Sequence, residues 1–87
     1  MDINVIKRII LEHLITPPRW GGRHTGIRNI KKGFPFHISN SKEGQKLIDK
    51  AIKELINDGL LLSKKSTGEL HVSLNPRMKK EIMVFIR

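Results

Sequence analysis

The chain has 87 residues and carries 17 Lys and Arg against 8 Asp and Glu, a formal net charge of +9. Such a length fits one domain over residues 1–87 and leaves no room for a two-domain enzyme. The lack of Cys excludes disulfides, thiolate metal sites and cysteine nucleophiles. The longest apolar run, Ile82 to Ile86, falls far short of the roughly 20 residues of a membrane span, and no apolar signal segment opens the chain. We therefore predict a basic cytoplasmic domain with no membrane association.

Residues 3–15 are predicted to form the first helix, because apolar residues recur there at helical spacing. Asp2 is the expected N-cap, and Thr16-Pro17-Pro18 ends the helix since the residue before a proline avoids the α region. The apolar stripe is wider than one core face requires. Part of it is therefore expected to contact a second subunit.

Residues 16–40 are irregular and rich in Gly and Pro. A short helix is expected from about Gly26 to Lys32, with Thr25 as its N-cap and Gly33 ending it in a left-handed turn. The segment also contains three of the four aromatic residues, namely Trp20, Phe34 and Phe36. They either pack this loop onto the core or stack on nucleic-acid bases beside basic residues.

Residues 42–57 give the clearest helical pattern, with Asn40 or Ser41 as cap and Gly59 as a left-handed stop. One face is apolar, and at 100° per residue the opposite face carries Lys42, Lys46, Lys50, Lys53 and Asn57. Two acids on the flanks, Asp49 and Glu54, are interpreted as solubilising charge.

The hydropathy period changes to two over residues 60–74, which predicts a β-hairpin with a polar, basic tip. On its second strand His71 alternates with Leu70 and Val72, so it is expected to face solvent. Asn75-Pro76 then has the pattern of a helix start, and a last helix is expected to extend to about Phe85.

The predicted order is helix, short helix, amphipathic helix, hairpin and helix. In a chain of this size it indicates an α+β fold of the winged helix-turn-helix type, with three helices, a β-hairpin wing and a C-terminal helix. The connection over residues 33–41 is longer than the turn usual in such units.

The sequence resembles two known protein families. Gly21-Gly22-Arg23-His24-Thr25, Lys32-Gly33-Phe34-Pro35 and residues 70–77 resemble a family of small archaeal winged-helix proteins, which implies the fold but supplies no function. Trp20-Gly21-Gly22-Arg23, followed by a Pro-Phe-His element and a basic helix, is similar to a winged-helix ribosomal protein family of archaeal and eukaryotic small subunits. That second resemblance implies binding to ribosomal RNA.

The basic charge is concentrated in residues 19–65, where 11 Lys and Arg stand against four acids, a net charge of +7. Such a concentration is typical of a polyanion-binding face. We predict binding of double-stranded DNA through a recognition helix at about 42–57 and a wing at about 60–74, as in a transcriptional regulator. The predicted contact residues are Arg23, His24, Arg28, Lys42, Gln45, Lys46, Lys50, Lys53, Lys64, Lys65, Ser66 and Thr67.

Other functions remain open at this stage. An RNA-binding, ribosome-associated protein and a protein–protein interaction module are the alternatives, because fold alone does not decide function. A homodimer through residues 3–15 and 76–86 would double the basic face. The spacing of the four His and the lack of catalytic motifs predict no catalytic residue, cofactor, metal or enzymatic activity.

Overall fold

The computed structural model describes residues 2–87, and these confirm the predicted α+β class. The elements follow in the order α1 (Ile3–Ile15), β1 (Thr25–Gly26), α2 (Ile27–Lys32), α3 (Phe36–Ser39), α4 (Lys42–Asn57), β2 (Leu61–Ser66), β3 (Glu69–Leu74) and α5 (Lys79–Phe85). A single 3-10 turn, Pro76–Met78, leads into α5.

The three strands form one antiparallel sheet in the spatial order β1-β3-β2. The hairpin register runs from Leu61 opposite Leu74 to Ser66 opposite Glu69. Strand β1 adds two residues to the free edge of β3, with Thr25 opposite Val72. The sequence did not indicate β1, because two residues are too short to show an alternating pattern.

The core lies between α1, α4 and the inner face of the sheet. Because side chains of a strand alternate between faces, Val72 and Leu74 enter the core together with Leu61 of β2. The helices contribute fully buried residues that follow the predicted stripes, namely Ile6, Ile10, Leu11, Leu14, Ile30, Ile48, Ala51 and Leu55. Ile82 of α5 is also fully buried, and Phe85 and Ile86 pack against the core at its margin.

Several predicted helix boundaries are confirmed by their hydrogen bonds. The Asp2 carboxylate accepts from the Asn4 backbone N–H at 2.9 Å, and the Asn75 side chain accepts from Arg77 N–H at 3.1 Å. Of the two candidate caps for α4, it is Ser41 that accepts, from Gly44 N–H at 2.9 Å. Gly59 has φ +81°, the left-handed conformation expected after α4.

Two predictions for α2 are wrong. Thr25 is not the N-cap, because it lies in β1, where its hydroxyl accepts a hydrogen bond from the Asn29 amide; the cap position is Gly26. Gly33 is not left-handed, since its φ is −77°. A Cβ at Gly33 would instead lie 2.6 Å from the His13 ring, so the glycine here gives room for α1 to approach.

The long connection after α2 contains an extra helical turn, α3, which the sequence did not indicate. Phe34 and Ile38 from this region are buried in the core. The turn brings α3 so close to the start of α4 that a Cβ on Gly44 would collide with the backbone carbonyl of Ile38. The glycine at this position is therefore required by contact between two backbones.

The two acids on the flanks of α4, Asp49 and Glu54, do not serve merely as solubilising charge. Glu54 accepts from the ammonium of Lys7 on α1 at 2.7 Å, and the Lys7 side chain is only 9% exposed. On the other flank, Asp49 lies 3.1 Å from the Lys31 Nζ of α2. Both flanks of α4 are thus joined by ion pairs to neighbouring helices.

The Lys7–Glu54 pair makes stability depend on pH. The hydrogen bond from Lys7 is the main reason that the pKa of Glu54 lies below its ordinary value of 4.5; attraction from Lys7 and Lys50 adds to it, and partial desolvation opposes it. A lowered native pKa stabilises the fold above the unfolded pKa, and this contribution is lost as the pH falls through the native value.

We therefore expect Glu54→Gln to lower the free energy of unfolding near pH 7, and the difference from wild type to shrink towards pH 3. Urea unfolding of both proteins across this range measures the effect. Glu12→Gln, at an exposed acid of α1 that forms no ion pair within residues 2–87, is the matched control. A Glu54→Gln deficit that stays constant down to pH 3 would contradict the assignment.

Candidate nucleic-acid interface

A row of four lysines forms the outward face of α4. Lys42, Lys46, Lys50 and Lys53 are all exposed, and none of them forms an ion pair with another described residue. The last three surround a shallow surface groove together with Asp49. Because the opposite face of α4 is buried in the core and both flanks carry ion pairs, these lysines point away from the domain as one set.

Gln45 was predicted to contact nucleic acid, and it is exposed on the first turns of α4. Its side-chain amide, however, donates to the carbonyl of Ser39 at 2.9 Å, which ties it to the end of α3. A base contact would have to replace this hydrogen bond. The exposed Asn57 lies at the far end of α4, so the outer face is dominated by lysine.

The hairpin divides the two wing lysines between its faces. Lys65 is opposite Leu70, and Leu70 lines an apolar cavity with Ile27, Ile56 and Lys53, so Lys65 shares the side of the sheet that faces α4. Lys64 is opposite His71 and lies on the outer face. Sequence reasoning placed both lysines in one contact surface, whereas strand alternation separates them.

The hairpin tip is a tight polar turn. Thr67 and Gly68 both have positive φ, +50° and +79°, and the Thr67 hydroxyl donates to the Ser66 carbonyl at 2.7 Å. Thr67 is exposed while Ser66 is half-buried. The tip thus offers the Thr67 side chain and nearby backbone to a partner, but little of Ser66.

The start of α2 is already occupied by a carboxylate. The Arg28 backbone N–H donates to Glu69 Oε2 at 3.1 Å, whereas the Arg28 side chain is 87% exposed. The Arg28 backbone amide is therefore not open to a phosphate. Arg28 and the exposed Arg23 remain available through their guanidinium groups.

His24 and His71 lie together on the outer face of the sheet. Their Nδ1 atoms are 2.8 Å apart, a hydrogen-bond distance, and the rings meet edge to face at 72°. His71 is thus not solvent-facing as predicted, because the loop before β1 covers its strand and leaves its side chain only 21% exposed. The pairing joins residues 47 positions apart, which no local pattern in the sequence could reveal.

The three aromatic residues of the 16–40 segment differ in how far they are buried. Phe34 is buried, and Trp20 is half-buried against the core beside Leu74, so both pack the loop as the first interpretation expects. Phe36 differs, because 75% of it is exposed at the start of α3. Of the three, it is the ring accessible for stacking.

No helix among residues 2–87 is long and apolar enough to cross a membrane. In the same part of the chain, no three His, Asp or Glu side chains are grouped so that they could hold a metal ion. Comparison of the chain with protein-family models, curated proteins and solved structures found no match.

Proposed function

We propose that this protein is a non-enzymatic winged-helix domain that binds nucleic acid, with double-stranded DNA as its main partner and transcriptional regulation as the corresponding role. The observation that carries the proposal is the unpaired lysine row of α4, which lies on the exposed face of the longest helix among residues 2–87. The strand order β1-β3-β2, with α2 before and the hairpin after α4, supports the winged-helix assignment.

The chemistry of this face favours affinity over sequence selectivity. Lysine contacts phosphate mainly as a point charge, whereas base edges are read by Arg, Asn and Gln. The amide of Gln45 is held by Ser39, and Asn57 lies at the end of the helix away from Lys42. The domain should therefore discriminate only modestly between duplex sequences.

Salt dependence of duplex binding tests the proposal. With four lysines neutralising phosphates, a plot of log affinity against log salt should have a slope of about −3.6, at −0.9 per phosphate. Duplexes of unrelated sequence should bind within about tenfold of one another, compared with the 10³ or more that separates specific from non-specific binding in selective proteins. Absent or salt-independent duplex binding would contradict the proposal.

The exposed ring of Phe36 favours a second candidate, binding of single-stranded or looped RNA by stacking. On this interpretation a structured RNA outcompetes duplex DNA at equal salt. Phe36→Ala should then weaken RNA binding by about tenfold, since stacking contributes roughly 1–3 kcal/mol per base, while duplex affinity stays unchanged. Equal losses for both nucleic acids would assign Phe36 to the domain's general stability instead.

The homodimer proposed from the sequence is supported by apolar side chains left at the surface of the terminal helices. Val5 of α1 and Met83 and Val84 of α5 are each between 42% and 54% exposed. Sedimentation equilibrium of the wild type and of Val84→Asp tests this interface. A concentration-dependent dimer that the substitution abolishes is expected, and a monomeric wild type would remove the dimer from the proposal.

A further inference from the structure

The outer face of the sheet contains a cavity that the proposed α4 interface does not use. It has a volume of about 200 Å³ and lies between the Gly21-Gly22 turn and the hairpin strands. Its polar lining consists of His24, His71, Lys64, Ser63 and Ser73. None of the described residues that line it is acidic. Ser63 is opposite Val72, so its side chain lies on the other face of the strand, and the cavity combines one fixed cation, two imidazoles and the Ser73 hydroxyl.

The polar partners of the two histidines indicate which imidazole nitrogen is available. Glu69 Oε1 lies 3.8 Å from His71 Nε2 and favours a proton on that nitrogen. Neutral His71 then presents an unprotonated Nδ1, which accepts from His24 Nδ1–H. We infer this proton arrangement from the partners, and it leaves His24 Nε2 as the nitrogen that can accept another proton.

The acid on the same face of β3, Glu69, does not line the cavity. Its carboxylate lies 3.8 Å from His71 Nε2, accepts from the Arg28 backbone N–H at 3.1 Å and lies 4.0 Å from Arg28 Nε. Arg23, next to His24 in the chain, is exposed and adds positive charge. Lys64 is the charged group across from His71 on β2.

We propose that this cavity is a binding site for a phosphate group, held by Lys64, the Ser73 hydroxyl and the His24 imidazole. Tetrahedral oxyanions carry several acceptor oxygens, which match this set of polar groups and its lack of acids. The site is separate from the lysine row of α4, so it does not depend on the proposed nucleic-acid interface.

Titration of the ¹⁵N-labelled full chain with inorganic phosphate tests the site by NMR, with chloride used to keep ionic strength constant. Amide shifts should concentrate at Gly21, Gly22, His24 and Lys64 and saturate in the millimolar range. Sulfate, another tetrahedral oxyanion, should shift the same amides. Shifts spread over all lysines, or no saturation, would overturn the proposal.

Variants at adjacent strand positions provide the matched pair. Lys64→Ala should weaken phosphate binding by at least about fivefold, whereas Lys65→Ala, on the opposite face of the same strand, should leave it unchanged. Both residues are exposed, so neither change should unfold the domain. His24→Asn should also weaken phosphate binding, because His24 lines the cavity. Equal losses in the two lysine variants would mean unspecific attraction and would overturn the site.

Duplex binding by the same variants identifies the source of the phosphate. If Lys64→Ala weakens both inorganic phosphate and duplex DNA, the site holds a backbone phosphate of the nucleic acid. If it weakens inorganic phosphate alone, the site takes a free phosphate or a small phosphorylated molecule. Phosphate binding in the absence of any duplex binding would refute the proposed function and leave this site standing.

Discussion

Reversing two charges in the middle of the α4 row, Lys46→Glu with Lys50→Glu, should lower duplex affinity by at least about 100-fold. Each reversal removes one attraction to a phosphate and adds one repulsion, and such interactions near a protein surface are of order 1 kcal/mol or more at contact distance. The two lysines are one helical turn apart and border the same groove, so both changes act on one stretch of backbone. Electrophoretic mobility shift or fluorescence anisotropy measures the loss.

A matched control keeps the total charge equal. Lys79→Glu with Lys80→Glu changes the same two charges on α5, where both lysines are exposed and lie outside the α4 row. This variant should lose only the small part of affinity that follows from net charge. If the two double variants bind duplex equally weakly, the lysine row has no special role and the interface proposal is wrong.

Replacing Gly44 by Ala should destabilise the fold by about 2 kcal/mol, although alanine is the better helix former by about 1 kcal/mol. A Cβ at this position would collide with the Ile38 carbonyl oxygen and would lie 2.8 Å from Ser41 Oγ. Ile38 contributes a backbone atom there, which cannot rotate away as a side chain could. Relief therefore requires α3 to move from α4, at the overpacking cost of 1–3 kcal/mol or more.

Thermal unfolding checks this expectation. For a domain of this size, a loss of 2 kcal/mol corresponds to a fall in Tm of roughly 8–16 °C. Gly22→Ala is the control, because a Cβ there meets no atom within 4 Å and the exposed turn has room for it. If Gly44→Ala unfolds at the wild-type temperature or above, the close approach of α3 and α4 is wrong.

The sequence alone was sufficient wherever the determining interactions are local. The helical period of the apolar residues located α1 and α4 and their buried faces, and the alternation around Val72 located the hairpin. Short polar side chains next to those segments identified the caps at Asp2 and Asn75. The glycine at position 59 identified the end of α4. These features depend on contacts between residues that are close in the sequence, so the order of the residues is enough to predict them.

Part of the predicted nucleic-acid interface also follows from local sequence patterns. The outward row from Lys42 to Lys53 follows from the same period that locates the apolar face, and the structure leaves all four side chains exposed. Their binding to nucleic acid remains a prediction. The separation of Lys64 from Lys65 was within reach too, since strand alternation alone places neighbours on opposite faces.

Tertiary structure decided everything that depends on distant segments meeting. It joined Lys7 to Glu54 and His24 to His71, buried Phe34 while leaving Phe36 exposed, and directed Glu69 to the start of α2. Each of these contacts links residues that lie far apart in the chain or on different elements, so its existence depends on how the helices and sheet pack. The +9 charge and the lysine row of α4 were evident from the sequence, but only the packing brought Lys64, His24 and His71 around one cavity on the outer face of the sheet.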